Sequence, residues 1–223
     1  MRKDPLVSGE VYHLMNKSIA GYRIFNTPAE FDYMLKALRY FSLLDPPNKM
    51  SLFMKKDERV LADGFEQVVG DLARIEGRGV QIISYSIMPT HFHILAKQLD
   101  NGNISSFMNK ILITYTRYFN IKHERKGPLW VGRFNNVLVK TDEQLLHVTR
   151  YIHLNSVTAG LCEKAEQWPY SSYSEYVGRE KVKYPMTNYD GLVDMTGEEY
   201  RQFCEDRAGY QRELAIIKRQ AIE

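Results

Sequence analysis

Val80-Gln81-Ile82-Ile83-Ser84-Tyr85-Ser86-Ile87-Met88, then Pro89-Thr90, then His91-Phe92-His93-Ile94-Leu95-Ala96-Lys97-Gln98: this stretch decides the fold. Both runs are rich in apolar residues, and Pro89-Thr90 punctuates them, which predicts two strands joined as a hairpin. On a strand, residues i and i+2 share a face. His91 and His93 therefore point to one side, and Phe92 points through the sheet towards a core. Two neutral imidazoles at that spacing can hold one divalent ion, but two ligands do not complete a site, so a third must come from elsewhere. The alternative is a pair of surface or hydrogen-bonded histidines, and the tripeptide alone does not choose.

Working outward, Glu10 to Ser18 reads as a first strand, with Val11, Tyr12, Leu14 and Met15. Thr27-Pro28 opens a helix with Phe31, Met34, Leu35, Leu38 and Phe41 at helical spacing, and Asp45-Pro46-Pro47-Asn48 stops it. A further helix is predicted over 58–76, ended by Gly77 and Gly79. After the hairpin, Asn101-Gly102-Asn103 forms a loop, and a helix from Ile104 turns Phe107, Met108, Ile111, Leu112 and Tyr115 inward. Lys122 to Gly132 is a basic loop and Arg133 to Lys140 a fourth strand. Thr141 with Gln144 fits a capping box for a last helix ending near Gly160.

Leaving out the 58–76 helix, the first six elements read βαββαβ. That is an α+β, ferredoxin-like pattern: an antiparallel sheet with helices on one face, one extra helix inserted before the second strand, and a helix after the fourth. The pattern weakens after Trp168-Pro169-Tyr170-Ser171-Ser172-Tyr173. We therefore divide the chain into a domain over 1–175 and a C-terminal helical extension over 176–223 without an assigned role. Thr196 and Glu199 suggest a capped helix in it, running towards Ile217.

At 223 residues, with 44% hydrophobic and 26% charged, the chain can bury one sizeable core, and disorder is excluded as its main state. No run approaches the ~18 apolar residues of a membrane span. The start, Met1-Arg2-Lys3-Asp4-Pro5-Leu6, lacks the apolar core of a secretory signal. Cys162 and Cys204 make neither a disulfide framework nor a zinc knuckle, so a reducing cytoplasm is the simplest compartment. The net charge is only +3, but it is unevenly spread: from Asn109 to Lys140 seven cations face one acid, Glu124. Lys110, Arg117, Arg125, Lys126 and Arg133 lie there among Tyr115, Tyr118, Trp130 and Phe134. Such a block fits phosphate contacts with base-stacking platforms, and it equally fits a solvated basic face over a core.

The helix from Thr141 to Gly160 carries a second constellation. With Tyr151 at zero and a step of 100° per residue, Gln144, His147, Asn155 and Thr158 fall within about 40° of it. Leu145, Val148 and Ile152 occupy one flank. Tyr151 thus sits in a polar stripe and not in the apolar one; the stripe faces either a site or solvent. Tyr151 and Asn155, at i and i+4, are neighbours. A tyrosine can be a covalent nucleophile, and an amide oxygen suits a hard cation such as magnesium or manganese.

At these residues a resemblance becomes specific. Ser86-Ile87-Met88-Pro89-Thr90-His91-Phe92-His93-Ile94-Leu95 resembles the His-hydrophobe-His signature of the single-tyrosine transposases. These are the insertion-sequence enzymes of the single-stranded DNA type and their REP-associated relatives. Three further stretches match in order: Ile104 to Asn120, Gly127-Pro128-Leu129-Trp130-Val131-Gly132-Arg133-Phe134, and Arg150-Tyr151-Ile152-His153-Leu154-Asn155-Ser156-Val157. The match covers roughly 8–175. The resemblance implies that His91, His93 and Asn155 hold a divalent metal, Mg2+ or Mn2+, and that Tyr151 is the nucleophile. The implied reaction is cleavage and rejoining of single-stranded DNA through a 5′-phosphotyrosine, usually beside a hairpin, by a monomer or a homodimer. Thr90 stands where the family commonly has asparagine, and Ser156 where it commonly has proline; neither change removes a proposed catalytic group.

His13 and His123 read as structural or solvent-exposed side chains and not as ligands. His147 and Gln144 share the Tyr151 stripe and are assigned support behind the ligands. Tyr115 follows an apolar stripe, so core packing is preferred to a nucleophile. Trp130 either stacks a base or anchors its loop on the core. The leading expectation is a metal-dependent transposase. A nucleic-acid-binding module of the same fold without catalysis, and a phosphodiesterase using water, are the rivals.

Overall fold

The computed structural model describes residues 4–47, 49–178 and 181–206. Four strands, β1 (Val11–Lys17), β2 (Val80–Met88), β3 (His91–Gln98) and β4 (Asn135–Val139), form one antiparallel sheet in the order β2-β3-β1-β4. The histidine strand β3 is therefore interior, flanked by β2 and β1. The β2–β3 hairpin turns at Pro89-Thr90 as its sequence predicts, with Met88 opposite His91 and Ser86 opposite His93.

The helices α1 (Pro28–Phe41) and α5 (Asn103–Lys122) pack on one face. Alternation places Tyr12, Leu14, Ile82, Phe92 and Ile94 against them, all nearly inaccessible. The start of α1 is fixed chemically: the Glu30 carboxylate accepts from the backbone N–H groups of Asn26 (2.6 Å) and Thr27 (3.0 Å), and Pro28 stands at the first helical position. The single helix expected over 58–76 is instead divided. The helices α2 (Met50–Lys56), α3 (Glu58–Asp63) and α4 (Phe65–Ile75) precede β2, and the break between α3 and α4 falls at Gly64, whose φ of +89° has no place in a helix.

The opposite face is covered by α6 (Asp142–Thr158), the helix that follows the βαββαβ unit. Leu145, Ile152, Leu154 and Val157 form a second cluster with Val11, Ile83 and Leu95 of the sheet. Residues 168–172 seal the free edge of β2: the Ile87 N–H donates to the Tyr170 carbonyl (2.9 Å), the Ser172 N–H to the Tyr85 carbonyl (3.0 Å), and the Trp168 indole to the Ile87 carbonyl (3.0 Å). A short helix α7 (Tyr173–Val177) follows. Tyr189, Val193, Tyr200 and Cys204 join the α6 cluster, so the segment beyond 175 shares a core with the sheet. The expected cap is present, with the Thr196 N–H donating to Glu199 (2.8 Å), and a helix covers 197–206; its continuation towards Ile217 lies outside the described residues. Both cysteines are free thiols. Among the described residues no helix is long and apolar enough to cross a membrane.

Candidate active site

The site grows from the sheet face beneath α6. His91 and His93 point to this face, as their spacing requires, and they bring a third imidazole with them. In the β1–β3 register Met15 lies opposite His93 and His13 opposite Leu95, so His13 emerges beside His93 on the same side. Its Nε2 lies 2.9 Å from Nδ1 of His93. Nδ1 of His91 is 2.9 Å from the Thr90 hydroxyl. Each histidine of the pair is thus engaged through Nδ1, and no partner for either Nε2 is found among the described residues. Burial lowers the pKa of all three imidazoles: to about 4 for His13, and to about 3 for His93, where a charge on His13 or His91 would add repulsion. His91 is lowered by burial and by the nearby Lys17 ammonium. Neutral rings with open lone pairs are the form a metal ligand needs.

Tyr151 stands over this group. Its ring meets His93 edge-on at a centroid distance of 5.6 Å and His13 at 6.0 Å, and it remains 42% exposed. Asn155 follows one turn later on the same face. Its side-chain Nδ2 is buried and has no hydrogen-bond partner. A buried amide N–H without an acceptor is a cost that a cation cannot relieve; only the amide oxygen could ligate one. Two imidazole nitrogens suit a borderline divalent ion and an amide oxygen a harder one, so the set fits a divalent cation such as Mn2+. No group of three or more His, Cys, Asp or Glu side chains among the described residues is placed to hold a metal ion, so the pair would depend on neutral or substrate oxygens for its remaining ligands.

The position of Tyr151 is set two residues away. His153, fully buried, lies 2.7 Å from the Ser172 hydroxyl through Nε2 and 2.7 Å from the Tyr200 hydroxyl through Nδ1. Ser172 Oγ in turn accepts from the backbone N–H of Tyr85 on β2 (2.9 Å). This chain of bonds pins α6 to the sheet with Tyr151 turned towards the histidine face.

The other candidates separate. Gln144 does not reach the site: its backbone N–H donates to the Thr141 hydroxyl (3.1 Å), the first half of the predicted capping box, but its side chain accepts from the Lys140 N–H (2.8 Å) and not from that of Thr141. His147 turns to the C-terminal segment, 2.8 Å from Arg150 Nη2 and edging the Phe203 ring, so it does not support the ligands. Trp130 is 8% exposed, with its indole N–H bonded to the Thr116 hydroxyl (3.0 Å) and its ring against Phe92; it anchors the basic loop and offers no face to a base. Arg125 braces the same loop through the Asn120 side chain and the Pro128 carbonyl. Lys126 and Arg133 are exposed. Lys110 and Arg117 are exposed too, but they line a groove of about 880 Å3 between α2 and α5, across the sheet from Tyr151. Tyr115 is buried, donating to the Ile24 carbonyl, which excludes it as an accessible nucleophile.

Sequence reading missed His13 and Lys17. His13 lies on the β1 face shared with Val11 and Met15, and only the β1–β3 pairing sets it beside His93. Lys17 sits opposite His91 in the same register. It lines a cavity of about 600 Å3 with His91, His93, Asn16, Val131 and Asn135, open beside the imidazoles.

Residues 49–155 match the family model described as IS200-like transposase. A candidate REP-associated tyrosine transposase of Haemophilus influenzae is 27% identical over 110 residues, which cover 45% of this chain and 62% of that protein. The REP-associated tyrosine transposase of Escherichia coli K12 is 22% identical over 148 residues, covering 66% of this chain and 83% of its own length. A solved structure of a REP-associated tyrosine transposase bound to a REP hairpin superposes with a TM-score of 0.55 at 14% identity, over 88% of this chain and 95% of that one, and so shares the fold. The matched segment contains His91, His93, Tyr151 and Asn155 together, and the chain is similar in sequence and fold to the IS200-like and REP-associated tyrosine transposases.

Proposed function

We propose that the chain is a metal-dependent DNA strand transferase that cleaves and rejoins single-stranded DNA beside a hairpin, with Tyr151 as nucleophile. The observation that carries this reading is the exposed Tyr151 ring edge-on to His93 and His13, one helical turn before Asn155. His91 and His93 through Nε2, with Asn155, would hold Mg2+ or Mn2+. When bound, such a cation polarises the scissile phosphate and offsets the charge that builds on its oxygens.

The Tyr151 oxygen attacks phosphorus, the bond from phosphorus to the 3′-oxygen breaks, and a 5′-phosphotyrosine remains. The phenol gives up one proton and the departing 3′-oxygen takes up one, so the step is proton-neutral overall. A new 3′-hydroxyl attacking the phosphotyrosine reverses these changes and joins the strands without a nucleotide cofactor. Lys17 lines the cavity beside the imidazoles and, with the exposed Arg133, would neutralise flanking phosphates. The hairpin as partner is carried over from the solved relative, whose bound ligand is a REP hairpin. Residues 1–175 carry the chemistry, and the segment after 175 buttresses α6.

The test is a single-stranded hairpin substrate incubated with Mn2+ and run on a denaturing gel. Wild type is expected to give a covalent protein–DNA adduct, and Tyr151→Phe to bind DNA without forming one. An adduct of normal yield in that variant overturns the nucleophile, and full cleavage in EDTA overturns the metal. Binding without adduct in wild type would leave the non-catalytic module, and cleavage without adduct the water-dependent phosphodiesterase.

A further inference from the structure

His93 can serve a cation only with the nitrogen that is not already committed. Nδ1 is committed, at 2.9 Å, to a ring that no motif pointed to: His13, 9% exposed, on the neighbouring strand. An imidazole has two tautomers, and the partner at one nitrogen selects which of them is present. If Nδ1 of His93 carries the hydrogen and His13 Nε2 accepts it, the His93 Nε2 lone pair is free. If His13 donates instead, Nε2 carries the hydrogen and the ring cannot ligate.

We propose that His13 is a positioning residue whose Nε2 accepts the Nδ1–H of His93, holding that ring in its ligating tautomer beneath Tyr151. This inference rests on the reading of His91 and His93 as metal ligands. A carboxylate could play the same part. The imidazole does so without placing a negative charge where a DNA phosphate must approach.

Two measurements test it. In metal-free wild type, 15N chemical shifts of His93 should report the Nδ1–H tautomer; an Nε2–H tautomer overturns the proposal whatever the protein does with metal. Mn2+ affinity is then measured by titration calorimetry. His13→Leu, which keeps bulk and loses the acceptor, is expected to bind about 10–100-fold more weakly. His13→Gln, whose side-chain oxygen can accept, is expected to recover most of that loss. Unchanged affinity in His13→Leu, or no recovery in His13→Gln, overturns the role. Failure of wild type itself to bind Mn2+ strikes the metal reading instead, and the tautomer measurement still decides the part of His13.

Discussion

His93 and His153 are both buried histidines held near a pKa of about 3, and their partners differ. His153 has a partner at each nitrogen, Ser172 and Tyr200, and is completely enclosed. His93 has a partner at Nδ1 alone, lines the cavity beside Lys17 and meets the Tyr151 ring edge-on. Perturbed titration therefore does not mark function by itself, since structural networks perturb pKa values as strongly as active sites do. What separates the two is Nε2 of His93, which has no partner among the described residues, in a ring that lines a cavity. The largest expected contrast follows from it. Replacing both His91 and His93 with alanine should lower DNA cleavage at least about a thousandfold, roughly 4 kcal/mol of transition-state stabilisation, while the melting temperature changes little. Single-turnover cleavage assays beside thermal melts check this; retained cleavage would erase the distinction between the two histidines.

The converse substitution is expected to affect the fold and spare the cation. His153→Leu strands the Tyr200 hydroxyl and removes the link from α6 through Ser172 to β2. A loss of about 3 kcal/mol follows from unpairing buried polar groups. Urea denaturation measures it, and Mn2+ affinity measured on the folded variant should stay within a few-fold of wild type. A large loss of affinity would mean that α6 must be braced for Asn155 to act as ligand.

Glu30, on the other side of the sheet, gives the comparison a third term: a buried carboxylate completely spoken for. Burial opposes its ionisation, but hydrogen bonds from Lys122, the Asn26 N–H, His123 and the Thr27 N–H outweigh that and hold its pKa at about 2. A carboxylate depressed in the folded state contributes stability above its unfolded pKa near 4.5, and the contribution fades as pH falls through about 2. Between pH 6 and pH 3 this group should account for about 2 kcal/mol of lost stability. Urea melts across that range should show a flatter profile for Glu30→Gln than for wild type, with the Tyr151 site undisturbed.

How much of this could be read from the residues depends on the range of the interactions. The β2–β3 hairpin, the face shared by His91 and His93, the helix starts at Thr27, Thr141 and Thr196, and the place of Tyr151 outside the apolar stripe all rest on neighbours within a few positions. His13 does not: its partner is 80 residues away and is fixed only by strand order. Gln144 and His147 share the angular position of Tyr151, but an angle around a helix does not say what stands opposite each turn. One meets the helix start and the other meets Phe203. Trp130 was legible as aromatic but not as buried, because the cleft it fills is made by α5 and Phe92. A run of charges gives no direction either, which is why Lys110 and Arg117 fall on the far side of the sheet from Tyr151.

That separation supports the smallest effect and a direct comparison of the two faces. If single-stranded DNA runs over the histidine face, each phosphate contact there contributes about 0.7 to the slope of log K against log salt. Arg133→Ala and Lys17→Ala should each lower that slope by roughly this amount and weaken binding a few-fold at moderate salt. A Lys110→Ala, Arg117→Ala double variant should leave the slope for an unstructured strand unchanged. Fluorescence anisotropy between 50 and 200 mM salt resolves these differences. Equal losses at both pairs would mean that DNA contacts both sides of the sheet, and the groove between α2 and α5 would then belong to the same binding path as the cleft at Tyr151.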